Sequence, residues 1–327
     1  MKRIVIIVPY FGKFREDFRF WLKSVEYNPS IDFMIFTDQH LNNVPQNVIV
    51  ENMQLAEVEQ LAKRYVLEEA IIPQPYKICD FRPSYGAMFQ DYITRGGYDF
   101  WGHCDCDMIF GDIRKFITDE ILDKHERVLT RGHLTIYKNS REVNSSYRNV
   151  QKPSYKEVYT SAKSFSFDEW AGTSMWWKIS KSEKLYDEIV FDDIAPYVYS
   201  FYSYQKRKSD KDKKNFMFVF DKGKLYRYYE HNGEVNKEET CYVHFQKRQL
   251  SISNKLKNHQ TEQFAVIPNK FTNYVGNITL QYLRCNVHIG KIWAYRERFR
   301  KKLDELLGRK SNSIYLTLAT LDELLNE

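Results

Sequence analysis

The chain has no stretch approaching the ~20 consecutive apolar residues that span a bilayer, which argues against a membrane-spanning helix. It also lacks the outline of a cleavable leader. Met1-Lys2-Arg3 is followed by the short apolar run Ile4–Val8, but Pro9-Tyr10-Phe11-Gly12 comes next rather than a small-residue cleavage site. A first β-strand is the better reading, and a cytoplasmic location is the expectation. Cysteine is sparse. The five residues Cys79, Cys104, Cys106, Cys241 and Cys285 are odd in number and have no zinc-ribbon spacing. Cys104 and Cys106 read as small strand fillers. The sequon Asn277-Ile278-Thr279 carries no meaning in a cytosolic chain. No internal repeat or low-complexity tract is visible.

What is present points to a soluble globular protein. The 327 residues are 43% hydrophobic and 28% charged, enough for one large or two ordinary domains with a sizeable core. Aromatics reach 16%, with 24 Tyr and 22 Phe, which suits either sugar-stacking surfaces or a ring-filled core. The net charge of +6 is concentrated in Gln205–Lys214 and in a C-terminal stretch with Arg296, Arg298, Arg300, Lys301, Lys302, Arg309 and Lys310. Nucleic acid, an anionic membrane surface and phosphorylated substrates are the partners such clusters allow. The first cluster contains acids and no aromatics, so it reads as a solvated loop and nucleic acid is not expected.

Strands and helices alternate over the first ~110 residues, which predicts an α/β fold with a mostly parallel sheet and helices on both faces. The strands are Ile4–Val8, Phe33–Phe36 and Val48–Val50, then the run ending at Asp105. Phe14, Phe18, Trp21, Leu22 and Val25 give a helix one buried stripe. Helices are also expected over Leu55–Ala70 and Pro83–Thr94, with Pro83 in the first turn of the latter. Further strands are read at Val128–Tyr137, Phe216–Phe220, Lys224–Tyr229 and Cys241–Phe245, with Gly223 and Asn232-Gly233 as turns. From Asn273 the chain turns helical. Residues 1–270 are thus the expected main domain, split into 1–110 and 111–270, and 271–327 a helical extension.

The chemistry is carried by Asp105-Cys106-Asp107. It ends the apolar run Tyr98–Cys104 and precedes Met108-Ile109-Phe110-Gly111. Carboxylates at the C-terminal end of a central strand stand where an open α/β sheet binds ligands. Burying them calls for a cation, and a divalent metal that in turn holds a diphosphate is the natural one. Solvated turn aspartates are the plain alternative. Thr37-Asp38 ends the second strand on the same rim, where an acid bonds a base or ribose, or merely caps a loop. Lys77 and Arg82 flank the start of the following helix and suit a phosphate; the alternative is a surface ion pair between Asp80 and a neighbour. His244 is a candidate third metal ligand or a structural strand histidine. In Phe165-Ser166-Phe167-Asp168-Glu169-Trp170, an acid near a cleft serves as general base. Alternatively Ser166-x-x-Glu169 is a capping box.

This combination resembles the GT-A-fold nucleotide-sugar glycosyltransferases of bacterial capsule and lipopolysaccharide synthesis, over roughly residues 1–270. The His-x-x-Gly-x-x-Lys pattern of the glycogenin-like and galactosyltransferase groups is shortened here to His244-Phe245-Gln246-Lys247, without the glycine. The resemblance implies Mn²⁺ or Mg²⁺ on Asp105, Asp107 and His244. It also implies a donor, a UDP-sugar by expectation, held by Pro9, Tyr10, Thr37, Asp38, Lys77, Arg82, Asp105 and Lys247. Asp168-Glu169 ahead of Trp-Ala-Gly is similar to the acidic motif of inverting members, so either acid is the implied base. The acceptor is then a hydroxyl of a glycan or lipid-linked glycan. The basic amphipathic stretch Lys291–Leu307 would rest on the inner membrane face, or pack on the catalytic domain. Competing readings of the same residues are a metal-dependent nucleotidyltransferase or phosphoesterase, and a non-catalytic sugar-binding protein.

Overall fold

A computed structural model describes residues 1–169, 172–196, 200–205, 207–246, 248–257 and 262–286, with five further positions between 299 and 307. In chain order the strands are β1 (Ile4–Pro9), β2 (Ile31–Thr37), β3 (Val48–Asn52), β4 (Phe100–Cys104), β5 (Met108–Phe110) and β6 (Arg127–Arg131). Next come β7 (Leu134–Lys138), β8 (Leu185–Tyr186), β9 (Asp192–Asp193), β10 (Lys214–Asp221) and β11 (Lys224–His231). The last are β12 (Glu234–Glu239), β13 (Tyr242–His244), β14 (Ser251–Ile252), β15 (Gln263–Ile267) and β16 (Lys270–Thr272). The chain divides into two compact units. The first holds Met1–Glu16, Asn28–Cys106 and Arg114–Glu188; the second holds Asp17–Tyr27, Asp107–Ile113 and the chain from Ile189 onward.

The first unit is built on a seven-stranded sheet of order β3-β2-β1-β4-β7-β6-β8. Pairings β1–β2, β2–β3, β1–β4 and β6–β8 are parallel, and only β4–β7 and β6–β7 are antiparallel. The sheet is therefore mixed but mostly parallel, in an α/β fold. Strand β1 lies between β2 and β4, so the winding reverses beside it. The residues after Pro9 and after Cys104 consequently emerge at one switch point, where open sheets of this kind bind ligands. The apolar runs of β1 and β2 are almost wholly buried, as strands covered on both faces must be.

Helix α1 (Phe18–Glu26) starts four residues after Phe14, whose ring instead stacks on Tyr10 at 4.2 Å. Helix α2 (Leu55–Tyr65) begins with a capping box between Gln54 and Glu57 and ends five residues before Ala70. There the chain turns, and the Leu67 amide donates to the Ala62 carbonyl. The helix expected from Pro83 is also different. Pro75–Ser84 winds as 3₁₀ helix with Pro83 inside it. Only then do α3 (Tyr85–Met88) and α4 (Gln90–Gly96) follow, separated at Phe89 and closed by Gly97 in the left-handed region at φ 64°. Phe89 leaves helical geometry while stacking on Phe36 at 4.4 Å, so tertiary packing overrides helical continuity.

The second unit contains α1, although that helix follows β1 in the chain. It carries a six-stranded sheet of order β12-β11-β10-β15-β16-β14 and a small sheet of order β5-β13-β9. Lys222-Gly223 and Asn232-Gly233 both have two positive φ angles (46° and 85°, 51° and 78°), the geometry that two-residue hairpins require. Strand β12, Glu-Val-Asn-Lys-Glu-Glu, has no apolar alternation to announce it; it is a charged edge strand. The run Cys241–Phe245 does form a strand, but β13 joins β5 and β9 rather than the hairpin sheet.

The basic segment Gln205–Lys214 is not simply a solvated loop. Arg227 of β11 is buried and pairs with Asp192 at 2.8 Å, with Asp210 at 2.5 Å and with Glu238. Arg207 donates to Asp192 at 3.1 Å, and Lys213 pairs with Glu238 at 3.1 Å. The acids in the segment dock it, because a buried guanidinium needs carboxylate partners.

Aromatic side chains build the core of this unit. Phe20 of α1 stacks on Phe271 at 4.4 Å and lies 4.8 Å from Phe264, while Trp21 meets Phe110 edge-on at 6.4 Å. Phe20→Ala is expected to destabilise the protein by about 3–5 kcal/mol, read from the urea midpoint followed by circular dichroism. A loss below ~1 kcal/mol would mean that α1 does not contribute to that core.

Candidate functional site

In the first unit the site is assembled around Arg82. Its Nη2 donates to Asp105, which follows β4 directly, and its Nη1 donates to Asp168 at 3.0 Å and to the Gly132 carbonyl at 2.8 Å. The guanidinium is thus held from three chain segments. Burial works against its charge, but Asp105, Cys79 and Asp168 together hold Arg82 well above its usual range. Gly132 sits in the β6–β7 turn close against the two acids. A Cβ there would lie 2.5 Å from Glu169 Oε1 and 2.9 Å from Asp168 Oδ2.

Lys77 and Asp80 set the position of Asp168. Lys77 is fully buried, and its ammonium donates to Asp80 at 2.9 Å and to the carbonyls of Val158 and Lys163 at 2.7 and 2.6 Å. Asp80 in turn accepts the amides of Phe165 and Phe167. The ion pair read as a surface alternative is therefore internal, and Lys77 has its three donors engaged within the unit. Ser166 has a left-handed φ of 52°, and the Glu169 amide donates to its carbonyl at 3.0 Å. Ser166-x-x-Glu169 is thus a turn, and the next helix starts at Thr173 with Gly172 as its cap.

The two acids of that turn differ. Glu169 is exposed, whereas Asp168 is buried. Burial pushes the Asp168 carboxyl up to about 7, with Glu169 and Asp105 adding to the shift and Arg82 opposing it. His103 of β4, two residues before Asp105, is buried and held neutral, well below its usual range, by desolvation and by Arg82 and Arg127. No motif in the sequence singles it out.

Pro9 closes β1 beside Phe36, and the Tyr10 amide donates to the Phe36 carbonyl at 2.8 Å. Thr37 is buried, and its hydroxyl accepts the Gln39 amide at 3.1 Å. Asp38 is exposed and accepts the Gly12 amide at 2.9 Å and the Gln39 side chain at 2.9 Å, bonds that hold its carboxyl below the usual range. Asp38 therefore ties the loop after β1 to the loop after β2. Lys247 lies outside the described residues, as does most of Lys291–Leu307. Among the described positions of that stretch, Phe299, Leu303, Leu306 and Leu307 are exposed.

In the second unit, β5 and β13 run antiparallel with His244 opposite Met108, and the Phe245 amide donates to the Asp107 carbonyl at 3.0 Å. This register brings His244 Nε2 to 3.2 Å from Asp107 Oδ1. On the other side β9 runs parallel with Asp193 beside His244, and Nδ1 lies 2.8 Å from Asp193 Oδ1. One imidazole thus stands between two carboxylates. A neutral ring has one N–H and serves only one of them; the other nitrogen then turns a lone pair toward a carboxylate oxygen. A cation relieves that repulsion. The donor set fits a divalent metal. Asp193 has no motif around it and was not legible in the sequence.

The fold and these side chains define a mixed α/β protein with carboxylates and a histidine gathered at strand ends. The chain belongs to a family of unknown function, DUF6625, whose model matches residues 6–275. No curated protein matches the sequence. Among solved structures it is similar to the apo-form glycosyltransferase GlyE of Streptococcus pneumoniae TIGR4, at 13% identity and a TM-score of 0.33 over 57% of this chain. The match spans only 45% of GlyE. It is also similar to apo mouse xyloside xylosyltransferase 1, at 9% identity and a TM-score of 0.34 over 59% of this chain and 88% of that one. A cytidylyltransferase from Leptospira borgpetersenii serovar Hardjo-bovis matches at 10% identity and a TM-score of 0.29, over 57% of this chain and 76% of that one. At these scores the likenesses carry no argument about a substrate. No helix among the described residues is long and apolar enough to cross a membrane.

The shift on Asp168 makes a prediction with a definite sign. Its ionised form is the one folding disfavours, so from the ordinary carboxyl range up to about 7 the folded chain binds more protons than the unfolded chain. Stability from this group therefore falls as pH rises through that window. Asp168→Asn removes the titration, so its thermal midpoint relative to wild type should become more favourable between pH 5 and pH 8. A difference that does not change with pH would place the titration elsewhere.

Proposed function

We propose that the protein is a metal-dependent glycosyltransferase that moves a hexose from a UDP-sugar to a hydroxyl of a glycan or lipid-linked glycan in surface polysaccharide synthesis. The observation that carries this reading is the approach of His244 Nε2 to Asp107 Oδ1 at 3.2 Å. Asp105 stands two positions earlier in the chain and completes the Asp-x-Asp pair. Mn²⁺ or Mg²⁺ held by Asp105, Asp107 and His244 would supply Lewis-acid stabilisation of the charge that grows on the departing diphosphate.

The rest is done by side chains. Asp168 is buried and titrates at about 7, which suits a base working near neutral pH. It takes the proton of the acceptor hydroxyl while that oxygen bonds to the anomeric carbon. The bond from that carbon to the diphosphate oxygen breaks, its electron pair leaves with UDP, and the configuration inverts. Arg82, bonded to both Asp105 and Asp168, keeps the base ionisable in a buried setting. Asp38, which ties down the loop after β1 at Gly12, would bond the nucleoside.

UDP release from a panel of UDP-sugars in Mn²⁺ is the direct test. Asp107→Ala should lower turnover at least 10³-fold and abolish Mn²⁺-dependent donor binding, with the circular dichroism spectrum unchanged. Wild-type turnover in the variant would move the metal elsewhere, and pyrophosphate release from nucleoside triphosphates instead would identify a nucleotidyltransferase.

A second measurement addresses the base. In wild type kcat/KM should rise with pH and level off above about 7, because the base acts deprotonated. Asp168→Asn should lose ~10²–10⁴-fold in kcat with donor affinity retained. A product of retained configuration would remove Asp168 from that role.

A further inference from the structure

Asp193 has no part in the sequence motifs, yet the fold invests heavily in it. It is buried in β9, in parallel register with His244 of β13, and the Ile194 amide donates to the His244 carbonyl at 2.9 Å. Its Oδ1 lies 2.8 Å from His244 Nδ1 and accepts Gln246 Nε2 at 2.8 Å. Gln246 adopts a left-handed φ of 51°, which a glutamine seldom does. The Asp193 amide receives a further tie, donating to the Ser203 hydroxyl at 3.1 Å, and the Tyr204 amide donates to the Asp193 carbonyl at 2.9 Å. The neighbouring Asp192 is clamped by Arg227 and Arg207. Backbone and side chain of Asp193 are therefore both held in place.

We propose that Asp193 is a positioning residue for the metal centre. By accepting the Nδ1 proton of His244, it fixes the tautomer whose Nε2 lone pair faces Asp107. A carboxylate bonded to the far nitrogen of a ligating imidazole sets the ring's orientation and raises its basicity, and losing it weakens metal binding about 10–100-fold. Gln246 contributes a second donor to the same oxygen, leaving that oxygen turned toward the ring. The role rests on the metal reading given above, extends it to the carboxylate behind the imidazole, and is tested without the transfer reaction.

The experiment titrates full-length protein with Mn²⁺ alone and reads free Mn²⁺ by electron paramagnetic resonance, with pulsed spectra to detect ¹⁴N coupling from a bound imidazole. Wild type should bind Mn²⁺ with a ¹⁴N signal, and His244→Ala should lose the signal. Asp193→Ala should bind about 10–100-fold more weakly. Asp193→Asn, which keeps an acceptor oxygen but not the charge, should fall between wild type and Asp193→Ala and guards against a folding defect in the alanine variant. If His244→Ala loses the ¹⁴N signal while both Asp193 variants bind as wild type does, the positioning role is overturned and the metal reading stands. If wild type shows no ¹⁴N coupling, the metal reading itself is overturned and this role with it.

Discussion

The candidate site depends first on one buried guanidinium. Asp105 and Asp168 come from segments 63 residues apart, and both turn toward Arg82. Two carboxylates cannot share a buried space without a counter-charge, since an unpaired buried charge is among the most destabilising features a fold can contain. Arg82 supplies that charge with a planar fork of donors that can address several acceptors at once, which a lysine could not. It also takes the Gly132 carbonyl, so the β6–β7 turn is fixed by the same group. The 3₁₀ segment Pro75–Ser84 matters because it delivers Arg82 and the Lys77–Asp80 pair together, and that pair holds the Phe165–Phe167 backbone ahead of Asp168.

The second constraint is strand register. Residues adjacent in neighbouring strands present their side chains side by side, and a slip of one residue would turn them to opposite faces. The β5-β13-β9 sheet is short; its register sets Asp193 beside His244, while Asp107, just before β5, reaches the other nitrogen of the same imidazole. Short strands hold a register weakly on their own. Here the Arg227–Asp192 pair, the Asp210 and Glu238 contacts and the aromatic core around Phe20 and Phe264 supply what the ladder lacks.

Local patterns were enough for much of the architecture. The β-branched runs of β1, β2 and β3, the apolar approach to Asp105 and the Asn232-Gly233 hairpin are periodicities and turn preferences written within a few residues of one another. Legible too were the chemical types at the site: the Asp105–Asp107 pair, Arg82, the acids at 168 and 169, and a late histidine. What misled was equally local. Ser166-x-x-Glu169 has the spacing of a capping box, but the left-handed Ser166 makes it a turn. Pro83 looks like a helix start and lies inside a 3₁₀ segment. Lys77 looks like a phosphate ligand and is engaged internally.

Hydrophobic period along the chain is enough for the fold class and for the strand that ends just before Asp105, and side-chain chemistry is enough to single out carboxylates and a histidine as candidate ligands. Tertiary structure alone decided which of those residues meet. Asp107 and His244 are far apart in the chain, and only the pairing of β5 with β13 brings them to 3.2 Å. It alone separated Asp168 from Glu169, since burial raises one carboxyl and leaves the other in water. It alone set Asp193 beside His244 and buried His103 near Arg82 and Arg127, neighbours that distant segments provide and no motif announces. Motifs record chemistry along a line, whereas desolvation, charge pairing and register are properties of contact between segments.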